Sequence, residues 1–255
     1  MKLIFIGSGS AFITGEDNYN SNMLLIDGQT NQSLLIDCGS DARHSLFKAG
    51  YSYREITDVY ISHLHADHCG GLEWLALIHK FDPNFTEKIN LYANESIIKE
   101  MWQHSLKAGL STLENEHCTL ETFFNVTSIE NNASFIWNHH HFQTVQTTHV
   151  ASEYNFMPSY GLVFTINNTK IFITTDTQFS PEQLTKLYHE ADIIFHDCET
   201  SKLKSGVHAH FDELSTLDNK IKSKMWLYHY NSGQLPDASK NGFKGFVKRG
   251  QIFEF

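Results

Sequence analysis

Short apolar runs alternate with polar turns over the first seventy residues. Residues 2–6, 21–26 and 33–37 read as strands; the last two form a hairpin about Asp27-Gly28, and Gly7-Ser8-Gly9-Ser10 ends the first. A helix is predicted from an N-cap at Asp41 to Ala49, ahead of Gly50. A strand over 58–61 and a helix over about 72–81 follow. Residues 89–92 read as a strand and 95–106 as an amphipathic stretch, while the polar remainder of 84–138 carries no pattern that predicts an element. Strand patterns return at 142–148, 162–166, 170–174, 191–196 and 224–228, with helices over about 180–190 and opening near Asp212-Glu213. Strands first and last with helices between predict an α/β sandwich of sheets covered by helices on their outer faces.

The four prolines are scattered, and no Gly/Ser tract, charge block or repeat marks a linker, so a single domain over 1–255 is expected. With 41% hydrophobic and 19% charged residues, a chain of this length buries a full core without disulfides. Cys38, Cys69, Cys118 and Cys198 are widely spaced with no CxxC pair, which fits reduced thiols in a cytoplasm. No apolar run approaches the roughly 20 residues of a membrane span, and the opening is too soon broken for a signal peptide, so a soluble cytoplasmic protein is expected. The formal charge of -10 opposes binding to a long nucleic acid. The 16 histidines, nearly as many as the 19 Lys and Arg together, raise the question of metal.

The densest chemistry lies in Ser62-His63-Leu64-His65-Ala66-Asp67-His68, between an apolar strand and Cys69-Gly70-Gly71 at the start of a helix. Imidazole and carboxylate suit a borderline divalent ion, and a His-x-His pair on extended chain puts both rings on one side. This segment resembles the His-x-His-x-Asp-His loop of the metallo-β-lactamase superfamily, an αβ/βα four-layer sandwich with two zinc ions at its mouth. The resemblance implies a later His at a strand end, met by His149, with the run His139-His140-His141 as competitor. It also implies a bridging Asp176 and a closing His229. One ion would then be held by His63, His65, His149 and Asp176, and the other by Asp67, His68, His229 and Asp176, with Asp67 counted among the catalytic residues too. Two Zn2+ are expected, Mn2+ being the other candidate, and a hydroxide shared between them would be the nucleophile. Asp37 resembles the family's early strand-end carboxylate that supports a ligand imidazole.

Further along, Ile194-Phe195-His196-Asp197-Cys198-Glu199-Thr200 and Gly206-Val207-His208-Ala209-His210 are similar to the phosphodiesterase branch typified by ribonuclease Z. That similarity implies a proton-donating His208, with His210 as understudy, backed by Asp197 or by Glu199. A phosphodiester expels an alkoxide that needs such a proton. The short span from His149 to Asp176 leaves no room for an RNA-grasping arm. Segments 205–210, 224–230 and 242–250 resemble the anti-Pycsar proteins of phages and their bacterial relatives. That family implies a homodimer that hydrolyses 3′,5′-cyclic mononucleotides (cCMP, cUMP, cAMP, cGMP) to 5′-monophosphates and so blunts antiphage signalling, in the host cytoplasm if phage-encoded. Tyr154, Phe156 and Tyr160 are candidates to stack a base, and 110–132 a candidate substrate-side or dimer-side element; Lys244, Lys248 and Arg249 read as a solvated basic end. The alternatives are a ribonuclease Z-like RNA endonuclease, a glyoxalase II or lactonase-type hydrolase of the same fold, and a silent nucleotide-binding protein.

Overall fold

A computed structural model describes residues 1–14 and 17–255. In chain order the strands are β1 (Lys2–Phe5), β2 (Met23–Ile26), β3 (Ser33–Ile36), β4 (Asp58–Ile61), β5 (Ile89–Asn94), β6 (Thr112–Leu113), β7 (Glu116–His117) and β8 (Phe124–Ile129). There follow β9 (Ser134–Trp137), β10 (His140–Ala151), β11 (Phe156–Ile166), β12 (Thr169–Ile173), β13 (Ile193–Asp197), β14 (Met225–Tyr228), β15 (Gly245–Phe246) and β16 (Ile252–Glu254). One seven-stranded sheet runs β16-β1-β2-β3-β4-β5-β8 and a second runs β15-β14-β13-β12-β11-β10-β9.

The period-2 alternation of these strands sorts their side chains into separate cores. Leu3, Phe5, Leu25 and Leu34 of the first sheet meet Leu162, Phe164, Ile173 and Phe195 of the second. The intervening residues Ile4, Leu24, Leu35, Val59 and Leu91 face outward onto Leu46, Leu72, Leu75 and Ile97, which lie on helices Ala42–Lys48, Leu72–Phe81 and Glu95–Met101. On the other side Phe172, Ile194 and Leu227 pack against Leu184 and Tyr188 of helix Pro181–Glu190 and against Phe211, Leu214 and Ile221. Helix, sheet, sheet, helix is the four-layer αβ/βα arrangement expected from the sequence. The four cysteines are free and buried. Among the described residues no helix is long and apolar enough to cross a membrane.

Several elements differ from expectation for local reasons. Asp41 precedes the helix Ala42–Lys48 but does not cap it; its carboxylate instead accepts the Asn20 backbone N–H at 2.9 Å. The stretch 84–138 holds edge strand β8, which pairs parallel with β5, and the helical turn Leu120–Phe123. Phe123 and Phe124 there are core residues. Strand β10 reaches His140 and Ala151, well beyond the expected 142–148. Strand β16, whose side chains are exposed or half-buried, pairs with β1 and completes the first sheet.

Candidate functional site

The chemistry-bearing residues stand where strands end. His63 and His65 follow β4 on extended chain, and His65 opens the helical turn Ala66–Cys69 that carries Asp67 and His68. That turn lies tightly on the loop after β3: Cys38 N–H donates to His68 O at 2.7 Å and Ser40 N–H to Ala66 O at 2.9 Å. Gly39 permits the approach, since a Cβ there would lie 2.1 Å from Asp67 O. His149 sits at a bulge in β10, where the register against β11 jumps from Thr148↔Pro158 to Val150↔Met157. The extra residue turns its ring out of the alternation and into the site.

Left-handed backbone aims three more groups. Asp37 after β3 has φ 63, Thr175 between β12 and Asp176 has φ 53, and His229 after β14 has φ 61. Such angles are costly for β-branched Thr, and they persist at functional turns that the surrounding fold over-determines.

Asp176 is common to three groups of potential donors: the two expected ligand sets and, overlapping them, Asp176 with Asp197, His208 and His229. His63 Nε2 and His149 Nε2 lie 3.2 and 3.0 Å from His65 Nδ1, and 3.6 and 3.8 Å from Asp176 Oδ2. Asp67 Oδ2 lies 3.1 Å from His68 Nε2 and 3.2 Å from His229 Nε2; these two nitrogens are 3.3 and 3.4 Å from Asp176 Oδ2. Within each cluster the donor atoms lie within 4.8 Å of one another. All seven residues except half-buried His65 are buried. The structure thus brings together every residue proposed for the ligand set.

Tautomers follow from the outward-facing nitrogens. His149 Nδ1 can only donate to Val207 O, at 2.9 Å, and His68 Nδ1 meets Asp37 Oδ2 at 2.7 Å, so both Nδ1 protons are spent outward and both Nε2 atoms face the clusters. Asp176 Oδ1 is buried without a hydrogen-bond partner, which native interiors avoid unless a further ligand completes it. Nitrogen and carboxylate oxygen at these spacings fit a divalent cation in each cluster.

The electrostatics agree. Burial of Asp176 and Asp67 favours their neutral forms, yet the imidazoles of His68 and His229 outweigh it and hold both carboxyls well below the usual range. Burial likewise opposes charge on His229, but Asp176, Asp197 and Asp67 push its pKa up to about 10. His63, by contrast, is pushed well down by burial and by His68. So many buried carboxylates demand compensating positive charge, as protons on imidazole or as bound cations.

At the rim, His208 Nδ1 lies 2.7 Å from Asp197 Oδ2, which also accepts the Thr177 N–H at 2.9 Å. Burial favours neutral His208, but the Asp197 carboxylate prevails and raises its pKa. Asp197 Oδ1 is 3.3 Å from His229 Nδ1, so one carboxylate touches both the rim and the cluster. His210 is not an understudy: it caps helix Phe211–Leu214, accepting Asp212 N–H on Nδ1 and donating to Ser201 O from Nε2. Glu199 is engaged elsewhere, holding Ser201 Oγ and the backbone N–H of Ser205. The competitor run His139-His140-His141 lies at the start of β10, by Ser134 and Lys170. Tyr154 and Phe156 are exposed at the β10–β11 end, whereas Tyr160 is buried in the core, with its hydroxyl 3.2 Å from Asn131 and 3.3 Å from Ser96, and cannot stack a base. Ser62, Ser159 and Thr175, not singled out by sequence, stand behind the imidazoles; only the position of Ser62 directly before the motif signalled one of them.

A family model described as anti-Pycsar protein Apyc1 matches residues 1–253. The chain is 35% identical over 232 residues to the anti-Pycsar protein Apyc1 of Paenibacillus harenae, covering 90% of each protein. It is 30% identical over 260 residues to the anti-Pycsar protein Apyc1 of Bacillus phage vB_BsuM-Goe3, covering 98% of this chain and 96% of the phage protein. In three dimensions it is similar to the metallo-β-lactamase fold protein YhfI from Bacillus subtilis, with a TM-score of 0.75 at 18% identity over 99% of this chain and 98% of that one.

Proposed function

The chain belongs to the anti-Pycsar protein Apyc1 family, and from that premise we propose that it is a metal-dependent phosphodiesterase opening 3′,5′-cyclic mononucleotides to 5′-monophosphates. The carrying observation is the His208–Asp197 pair, 2.7 Å apart, set at the rim of two clusters that share Asp176. His63, His65, His149 and Asp176 would hold one divalent cation, and Asp67, His68, His229 and Asp176 the other, zinc being the expected ion and manganese compatible with the same donors. Cations there supply Lewis acidity toward phosphoryl oxygens and lower the pKa of water to about 7.

The protein's own residues complete the reaction. Asp197 keeps the His208 proton budget in order: it accepts Nδ1–H and leaves Nε2–H directed at substrate. As the P–O3′ bond breaks and a water oxygen joins phosphorus, His208 gives its Nε2 proton to O3′. A thioester hydrolase of this fold has less use for such a donor, because a thiolate departs more readily than an alkoxide. Small substrates suit the net charge of -10 and a β10-β11-β12 run with no inserted arm. In the family setting this activity would remove cyclic-nucleotide signals of antiphage immunity.

The test is 5′-monophosphate release from cAMP, cGMP, cCMP and cUMP by metal-loaded protein, beside His65→Ala, a structured RNA and a lactoylglutathione control. Turnover of cyclic nucleotides lost in His65→Ala supports the reading. Hydrolysis of RNA or thioester alone overturns it.

A further inference from the structure

A buried chain of hydroxyls runs behind the ligand atoms from one cluster to the other. Asp37 receives hydrogen bonds from His68 Nδ1 at 2.7 Å, the Ser62 backbone N–H at 2.8 Å and Ser62 Oγ at 2.8 Å. With its only proton given to Asp37, Ser62 Oγ can only accept from His63 Nδ1, 3.0 Å away. The same Nδ1–H lies 3.4 Å from Ser159 Oγ, which is 2.8 Å from Thr175 Oγ1. Thr175 Oγ1 spends its proton on the Thr174 carbonyl at 2.6 Å, so it accepts from Ser159. Thr175, in its left-handed conformation, is the residue that sets the direction of Asp176. Asp37, Ser62, Ser159 and Thr175 are all buried, so no exposed water competes for these bonds.

The chain therefore joins His68 of one cluster, His63 of the other and the backbone turn behind the shared Asp176. Proton directions along it admit a single arrangement, with Nδ1–H on both imidazoles and both Nε2 atoms facing inward. Resting on the reading of two cation sites above, we propose that Ser62 is a positioning residue for both: its hydroxyl, touching only His63 among the imidazoles, couples the two sites through Asp37. Loss of the hydroxyl leaves His63 Nδ1 only the longer, 3.4 Å contact with Ser159 Oγ and leaves Asp37 one donor short, so both rings lose definition. Partners behind a metal ligand typically change affinity about 10–100-fold.

The experiment is stepwise Zn2+ titration of metal-free protein against a competing chelator, for the wild type, Ser62→Ala and Ser62→Cys, with far-UV circular dichroism and melting of the metal-free forms alongside. Wild type should bind two equivalents; failure to do so sinks the two-site reading itself rather than the role of Ser62. Given two equivalents, folded Ser62→Ala should lose about tenfold or more in both stepwise affinities. Loss in one step alone, or none, overturns the coupling. Should Ser62→Ala not fold, Ser62→Cys decides, because a thiol is a much weaker donor to Asp37 and acceptor from His63: weakening of both steps supports the proposal, and weakening of one step alone or of neither refutes it.

Discussion

His208→Ala is the sharpest test of the proton-donor role, because its effect should depend on the leaving group. In the structure His208 is only partly exposed, and its one side-chain partner at hydrogen-bond distance is Asp197 at 2.7 Å, which leaves Nε2 for substrate. A positioned general acid contributes about 10²–10⁴-fold when the departing oxygen is a basic alkoxide, and little when it departs as a stable anion. His208→Ala should therefore lower kcat for a cyclic mononucleotide by about 10²–10⁴-fold while sparing bis(p-nitrophenyl) phosphate to within about tenfold. Asp197→Asn extends the test to pH. The Asp197 carboxylate is what raises the His208 pKa against the effect of burial, so neutralising it should lower that pKa. The donor is protonated below its pKa, so the rate falls as pH rises through that value, and Asp197→Asn should move this alkaline limb to lower pH. Equal losses on both substrates, or an alkaline limb unmoved in Asp197→Asn, would refute the assignment.

Gly39→Ala should destabilise the protein by about 1–3 kcal/mol in urea titrations, since the added Cβ would meet Asp67 O at 2.1 Å and push the motif turn aside. Lys224→Met should cost about 1–2 kcal/mol in the same assay: Nζ caps the end of helix Pro181–Glu190 by donating to the carbonyls of Tyr188, His189 and Ala191 at 3.1, 3.0 and 2.7 Å. Asp82 is held well below the usual carboxylate range by the Tyr53 hydroxyl first, then the Asn84 backbone N–H and Arg54. Its contribution is complete above the unfolded value of about 3.9 and is lost as pH falls through the lower folded value. Asp82→Asn should flatten that acid limb of stability, and an unchanged limb would contradict the assignment.

Much of the sandwich was legible because its central strands and long helices carry clean periods. β4 and the helix Leu72–Phe81 fall where their patterns place them. β8 was not, because four of its six side chains are exposed or half-buried at the sheet edge, so its pattern is polar and its pairing with β5 is nonlocal. β16, Ile252-Phe253-Glu254, was missed because it is three residues long and pairs with β1 at the far end of the chain. At the site, the motif 63–68 spoke for itself because its donors are contiguous, whereas His149 needed the family resemblance: the bulge that aims it is a property of register between β10 and β11. His210 misled because a His two residues from another looks equivalent on paper, and only the fold shows that it is spent on capping. Tyr160 misled because β11 begins several residues before the apolar run that announced it, which carries its ring into the core.

Hydrolysis with O3′ as the leaving group is read directly from the phosphorus NMR spectrum of the product formed from a cyclic mononucleotide by metal-loaded protein. A single resonance for the 5′-monophosphate, absent with His65→Ala, is the predicted result. A 3′-monophosphate, or intact substrate beside a protein that hydrolyses thioesters, would contradict it.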